Sequence, residues 1–85
     1  MFRYRIYTED TEGIKETVRK FFPSFTIFKG TGCYLDSFED ASVIEILSQD
    51  YVQDDVQLLC NSLFSDHGQE SVMVTREIVD GWEEQ

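Results

Sequence analysis

"GTGCYLDSFEDASVIEI", residues 30–46, decides how this chain folds. As a phosphate-cradling loop, Gly30-Thr31-Gly32 would follow a strand and open a helix whose amides meet the anion. The chain instead continues with Cys33-Tyr34-Leu35, then acids, then the β-branched alternating run Ser42-Val43-Ile44-Glu45-Ile46-Leu47. No helix dipole is available, and Asp36, Glu39 and Asp40 would repel phosphate. The stretch therefore reads as strand, turn, strand. Gly30 and Gly32 are expected inside a strand, at a bulge or a twist where the missing side chain lets a neighbour pack close.

Working outward toward the N-terminus, Phe2, Tyr4 and Ile6 alternate with Arg3, Arg5 and Tyr7, the period of a half-buried strand. Asp10 or Thr11 is placed to cap a helix with the apolar stripe Ile14, Val18 and Phe21, and Pro23 ends it. Phe25 and Ile27 start a second strand toward Tyr34 and Leu35, with the turn expected at Asp36–Asp40. Past the third strand, Ser48 to Asp50 offers caps for a second helix. Val52, Val56, Leu59 and Leu63 form its stripe, and Asp66-His67-Gly68 its end, with Gly68 suited to a left-handed cap. Residues 71–79, SVMVTREIV, make the last strand, with Val72, Val74 and Ile78 inward.

The order β-α-β-β-α-β, each helix serving as a right-handed crossover, predicts a ferredoxin-like α+β fold. That is a four-stranded antiparallel sheet with two helices on one face. Residues 1–80 are read as a single domain and 81–85 as a short acidic tail, in which Trp82 either folds back or anchors an external contact.

Hydrophobic content of 41% is globular, which excludes a disordered chain despite the charge. No apolar run approaches the ~20 residues that cross a bilayer. The first ten residues alternate where a signal peptide is continuously apolar, so a cytoplasmic location is expected, with Cys33 and Cys60 as buried free thiols. His67 is the single histidine and is read as a cation at a helix end rather than a metal ligand or catalytic base. No cofactor is expected.

The net charge of −10 is unevenly spread: residues 30–75 carry nine acids and no Lys or Arg. Such a field repels nucleic acid and anionic membrane and attracts a basic protein surface. Asp36, Glu39, Asp40, Asp54 and Asp55 are the acids expected to meet such a partner.

The string Phe25-Thr26, then Gly30, Gly32 and Tyr34 as G-x-G-x-Y, then Asp40-Ala41-Ser42, then Gln69-Glu70-Ser71-Val72 resembles an uncharacterised family of small bacterial proteins. That family carries Trp at the Tyr34 position and E-x-S where this chain has Asp40-Ala41-Ser42. The resemblance spans roughly residues 25–74 and implies a shared fold but no reaction. It also implies that Gly30, Gly32, Tyr34, the acids around Ser42, and Gln69 with Glu70 come together.

The sheet face away from the helices is expected to carry Tyr7, Phe28, Val43, Leu47 and Met73, apolar enough to require a cover. These features are read as a non-enzymatic interaction protein, a homo-oligomer through its sheet face with a basic protein partner, of the phage-inhibitor type. A small-ligand binder is the alternative, in which Arg3, Arg5, Lys29 and Arg76 converge on an anionic nucleotide or metabolite. An enzyme using Tyr34, Glu39 and Gln69 is the third reading.

Overall fold

Burial along two strands orders the sheet. The computed structural model describes residues 1–84. It contains β1 (Phe2–Glu9), α1 (Ile14–Arg19), β2 (Thr26–Tyr34), β3 (Ser37–Ser48), α2 (Gln53–His67) and β4 (Met73–Ile78). The strands lie in the order β2-β3-β1-β4, every neighbouring pair antiparallel. This is the expected ferredoxin-like arrangement.

At the centre, Ile6 of β1 lies opposite Ile44 of β3, and Tyr4 opposite Ile46. These four side chains and Val18, Val56, Leu59 and Leu63 from the helices are essentially sealed from water. Burial of side chains this size contributes about 1.5–3 kcal/mol each. Tyr4 spends its polar end on a helix terminus: its hydroxyl accepts the Val52 amide at 3.2 Å, where α2 begins without a side-chain cap of its own. Ser48, expected among the caps, instead accepts the Asp50 amide at 3.1 Å, because it is still at the end of β3.

The first helix departs from expectation in the same way. Gly13 opens α1 at φ +80°, and no side chain caps it. Asp10 accepts from Ser42 Oγ at 2.9 Å and from Lys29 Nζ at 3.2 Å. Thr11 Oγ1 lies 2.8 Å from His67 Nδ1, and Thr17 Oγ1 lies 2.7 Å from Nε2. The imidazole is therefore a tie between α1 and the end of α2, where sequence alone suggested a cation on its own helix dipole.

Beyond Glu9, which faces Ala41, β2 and β3 continue as a two-stranded arm from Thr31–Asp40 to Tyr34–Ser37. The turn is only Leu35-Asp36, and residues 37–40, expected within it, are strand. With no core beside the arm, acidic side chains cost a strand nothing there, so the run of acids was a poor turn signal. Leu35 and Asp36 both have positive φ, 48° and 64°. That backbone is the type I′ hairpin turn, which favours Asn-Gly. Two other expectations fail, and one holds only in part. The β2–β3 register is unbroken at the glycines, so there is no bulge. Ile78 shares the inward face of its partner Phe2, but on the last rung of the edge strand it is 80% exposed. Cys33 is exposed on the arm, although Cys60 is buried. Among the described residues no helix is long and apolar enough to cross a membrane.

Two outcomes are expected from these contacts. Replacing Leu35-Asp36 by Asn-Gly should relieve left-handed strain at Leu35 and stabilise the protein by about 1 kcal/mol. Thermal denaturation should read this as a rise of roughly 4–8 °C. The Ser42 hydroxyl, and secondarily Lys29, hold the Asp10 carboxyl below its ordinary 3.8. The stability this contributes is present above 3.8 and is lost as pH falls through the lower folded value. An NMR titration should find the low Asp10 midpoint, and Ser42→Ala should move it back up.

Candidate functional site

Three elements meet where β1 ends. Glu9 closes β1, Tyr34 and Glu39 stand on the arm, and the loop from Gly68 to Ser71 links α2 to β4. What holds them together is Gln69, only 5% exposed. Its side-chain carbonyl accepts the Glu9 amide at 3.1 Å, and its amide donates to the Glu9 carbonyl at 3.0 Å. The side chain thus imitates one rung of a β-ladder, just beyond the point where β4 stops pairing with β1. Its backbone amide also donates to the Leu63 carbonyl at 3.2 Å, closing α2 after Gly68 turns left-handed at φ 64°. Gln69 is a positioning residue, and its polar atoms are spent on the fold.

The result is a hollow of about 360 Å³ lined by Glu9, Tyr34, Glu39, Gly68, Gln69, Glu70 and Ser71. Three of its side chains are carboxylates, and no Lys or Arg lines it. Its potential favours a cation. Among the described residues, however, no group of His, Cys, Asp or Glu side chains is arranged to hold a metal ion.

A second hollow, of about 540 Å³, shares Glu9, Tyr34, Glu39 and Ser71 with the first. It runs onto the open sheet face. There the register places Phe28, Val43, Tyr7 and Met73 on one rung that crosses all four strands. The next rung is Gly30, Ala41 and Glu9, followed by Gly32 with Glu39. A Cβ built on Gly30 would meet nothing within 4 Å, and one on Gly32 only ordinary contact with Ala41 at 3.4 Å. The glycines therefore do not admit a close neighbour, as sequence reading expected. They keep the floor of the hollow low.

The remaining candidates lie elsewhere. Ser42 is fully buried beneath the sheet against Asp10, away from Tyr34. Asp54 and Asp55 are in the first turn of α2, and Asp36 is at the tip of the arm. All five acids named as a partner surface are exposed. The cations do not converge on an anion. Arg3 pairs with Glu77 and Arg5 with Glu45, Lys29 pairs with Asp10, and Arg76 donates to Tyr51 and Gln53. Each of these positive charges has a local partner, which argues against the anionic-ligand version of the binding alternative. A further cleft of about 410 Å³ runs along the start of α1, but its Asp10, Thr11 and Lys29 are already hydrogen-bonded. Sequence reading missed Glu9, and it named Ser71 only within the motif Gln69-Glu70-Ser71-Val72. Glu9 was legible as the next outward position after Tyr7, but nothing showed that the arm would arrive beside it.

No family model and no curated protein matches the sequence. Solved structures do match. Over 98% of this chain and 92% of the other, the fold is similar to that of a phage SAM lyase in its apo state, with a TM-score of 0.69 and 24% identity. That protein is an enzyme. The fold is also similar to that of a DUF3240 family protein from Shewanella baltica OS155, with a TM-score of 0.66 and 10% identity over 99% of this chain and 96% of that one. CutA from Synechococcus elongatus PCC7942 matches with a TM-score of 0.56 and 14% identity, over 89% and 74% of the two chains. The likeness to the lyase overturns the reading of the chain as non-enzymatic. That reading rested on finding no active-site motif along the sequence, whereas this site is assembled from the ends of separate elements.

Because Gln69 satisfies both backbone groups of Glu9, Gln69→Ala should destabilise the fold by about 1–3 kcal/mol. Hydrogen exchange should show the Glu9 amide losing protection first. An unchanged Glu9 amide would mean that the loop is held by something else.

Proposed function

We propose that this chain is an enzyme that binds and cleaves a small sulfonium cation, with SAM (S-adenosylmethionine) as its substrate. The observation that carries the reading is the hollow formed by Glu9, Tyr34, Glu39 and Glu70, with three carboxylates and no opposing cation. It is supported by the likeness of the fold to a phage SAM lyase. A sulfonium brings its own leaving group, a neutral thioether. The site's tasks are then to bind the cation, exclude water and orient the carbon that reacts. Tyr34 brings an aromatic ring to the cation, and Glu39 from the arm and Glu70 from the loop before β4 bring charge. Either carboxylate is a proton acceptor if elimination is the route. The resemblance to the small bacterial family falls on these same residues, Tyr34 and Gln69-Glu70.

Carboxylates that attract the cation act on the bound substrate as much as on the transition state. Glu39→Gln and Glu70→Gln should therefore raise KM for SAM by about tenfold each, with kcat changing less in at least one of them. Chromatography with mass detection should show SAM consumed and an adenosyl thioether formed. Absence of both turnover and binding at millimolar SAM would sink the reading.

The same reading includes an assembly. The part of the open sheet face around Leu47, which lies clear of the hollow and is 52% exposed, is covered by a second copy of the chain, leaving the Tyr7–Phe28–Met73 end open. Leu47→Lys should shift the light-scattering mass toward the monomer without loss of folding. A second reading rests on surface charge. Asp36, Asp40, Asp54 and Asp55, all exposed, form a contact for a basic protein, as in a phage-type inhibitor. Association should then slow steeply as salt is raised, and charge reversal at Asp54 and Asp55 should lower the on-rate.

A further inference from the structure

The second hollow has a different chemistry from the first, and we infer that it is a subsite for a planar purine ring. This inference rests on the SAM reading for the identity of the ring and for which end of the ligand faces Glu39. Three aromatic side chains bound it: Tyr34 on the arm, and Phe28 and Tyr7 on the apolar rung, with Met73 beside Tyr7. Tyr34, Phe28, Tyr7 and Met73 are 59%, 52%, 41% and 64% exposed, so their apolar surface is available to a ligand. Between these walls β2 carries only Gly30 and Gly32, with Ala41 beside them on β3, and the carboxylates Glu9 and Glu39 bound this floor at the ends of the same two rungs. The space above Gly30 is open, and no left-handed backbone demands glycine there. A β-branched residue would suit the strand better, so the fold alone does not account for the choice. A flat ring laid on this floor meets backbone below and aromatic edges or faces on both sides, a surface that takes any purine by stacking.

Continuity supplies the second argument. The two hollows share Glu9, Tyr34, Glu39 and Ser71, so a ring on the floor has its substituent leading directly into the acidic end. Together they describe one elongated ligand, with a planar purine at the glycine floor and a cationic group among the carboxylates. Specificity for an adenosyl sulfonium over a simple alkyl sulfonium then resides in Gly30, Phe28 and Tyr7, none of which is among the carboxylates that bind the charge.

The test uses two ligands that each contain half of the match. Adenosine has the purine and no cation, and S-methylmethionine has the sulfonium and no purine. With the wild-type protein, adenosine should perturb the NMR resonances of Tyr7, Phe28, Tyr34 and Met73. Gly30→Val should weaken adenosine at least tenfold while leaving S-methylmethionine unchanged and the melting temperature equal or higher, since its Cβ has room. Phe28→Leu provides a second variant, with a loss of about fivefold or more in adenosine affinity. Adenosine that binds equally well to Gly30→Val, or that leaves all four resonances unmoved, overturns the subsite. Adenosine binding without any SAM cleavage keeps the subsite and removes the lyase reading. Cleavage of SAM and S-methylmethionine with equal efficiency does the reverse.

Discussion

The pairing of β1 with β3 is the constraint on which everything else depends. It sets Ile6 against Ile44 and Tyr4 against Ile46, and those side chains form the floor on which both helices pack. A slip of β1 by one residue would turn Tyr4 and Ile6 toward water and bring Arg3 and Arg5 beneath the helices, burying charge where apolar packing is lost. Register is therefore set by burial, and with it the position of every outward residue. Tyr7, Phe28, Val43 and Met73 fall on a single rung only because the inward residues leave them no choice.

The site inherits this rigidity at one end and adds its own device at the other. Glu9 is held by the β1–β3 ladder, while Glu70 lies on a loop that no ladder reaches. Gln69 bridges the gap by supplying from its side chain the two hydrogen bonds that β4 does not extend far enough to make. The neighbouring tie, His67 between Thr11 and Thr17, fixes the preceding helix end from the opposite side. Glu70 is thereby aimed by two polar contacts in sequence neighbours, neither of which need touch a ligand. This is the support that a charged site on a loop requires.

Charge follows the same logic of local pairing. The cations on the sheet face lie opposite carboxylates across the strands, Arg3 with Glu77 and Arg5 with Glu45, and Lys29 reaches Asp10. Once these pairs are made, the surplus is acidic, and at the end of β1 it is concentrated in a concave surface. Exposed acids on a convex helix such as α2 are well solvated and spread their field into water. Carboxylates lining a hollow focus it. This difference separates Glu39 and Glu70 from Asp54 and Asp55, although all four look alike along the chain.

The alternation of Phe2, Tyr4 and Ile6, the helical stripe Val52, Val56, Leu59 and Leu63, and the β-branched run at 42–47 determined the element order and the inward set. Periodicity records burial, and burial selects the fold. Tertiary structure alone decided what the acids and glycines do, because solvated residues leave no periodic trace. Leu35-Asp36 forms a turn only because the paired strands impose positive φ on it. Gln69, polar and one residue from Glu70, looked like chemistry until its partner proved to be the backbone of Glu9. Ser42 shared a motif with Tyr34 yet emerges on the opposite face. Tyr34 pairs with Ser37, and an odd number of positions along β3 from Ser37 to Ser42 turns the hydroxyl through the pleat. Proximity between the end of β1, the arm and the loop before β4 is a product of strand order, and no local stretch of sequence carries it.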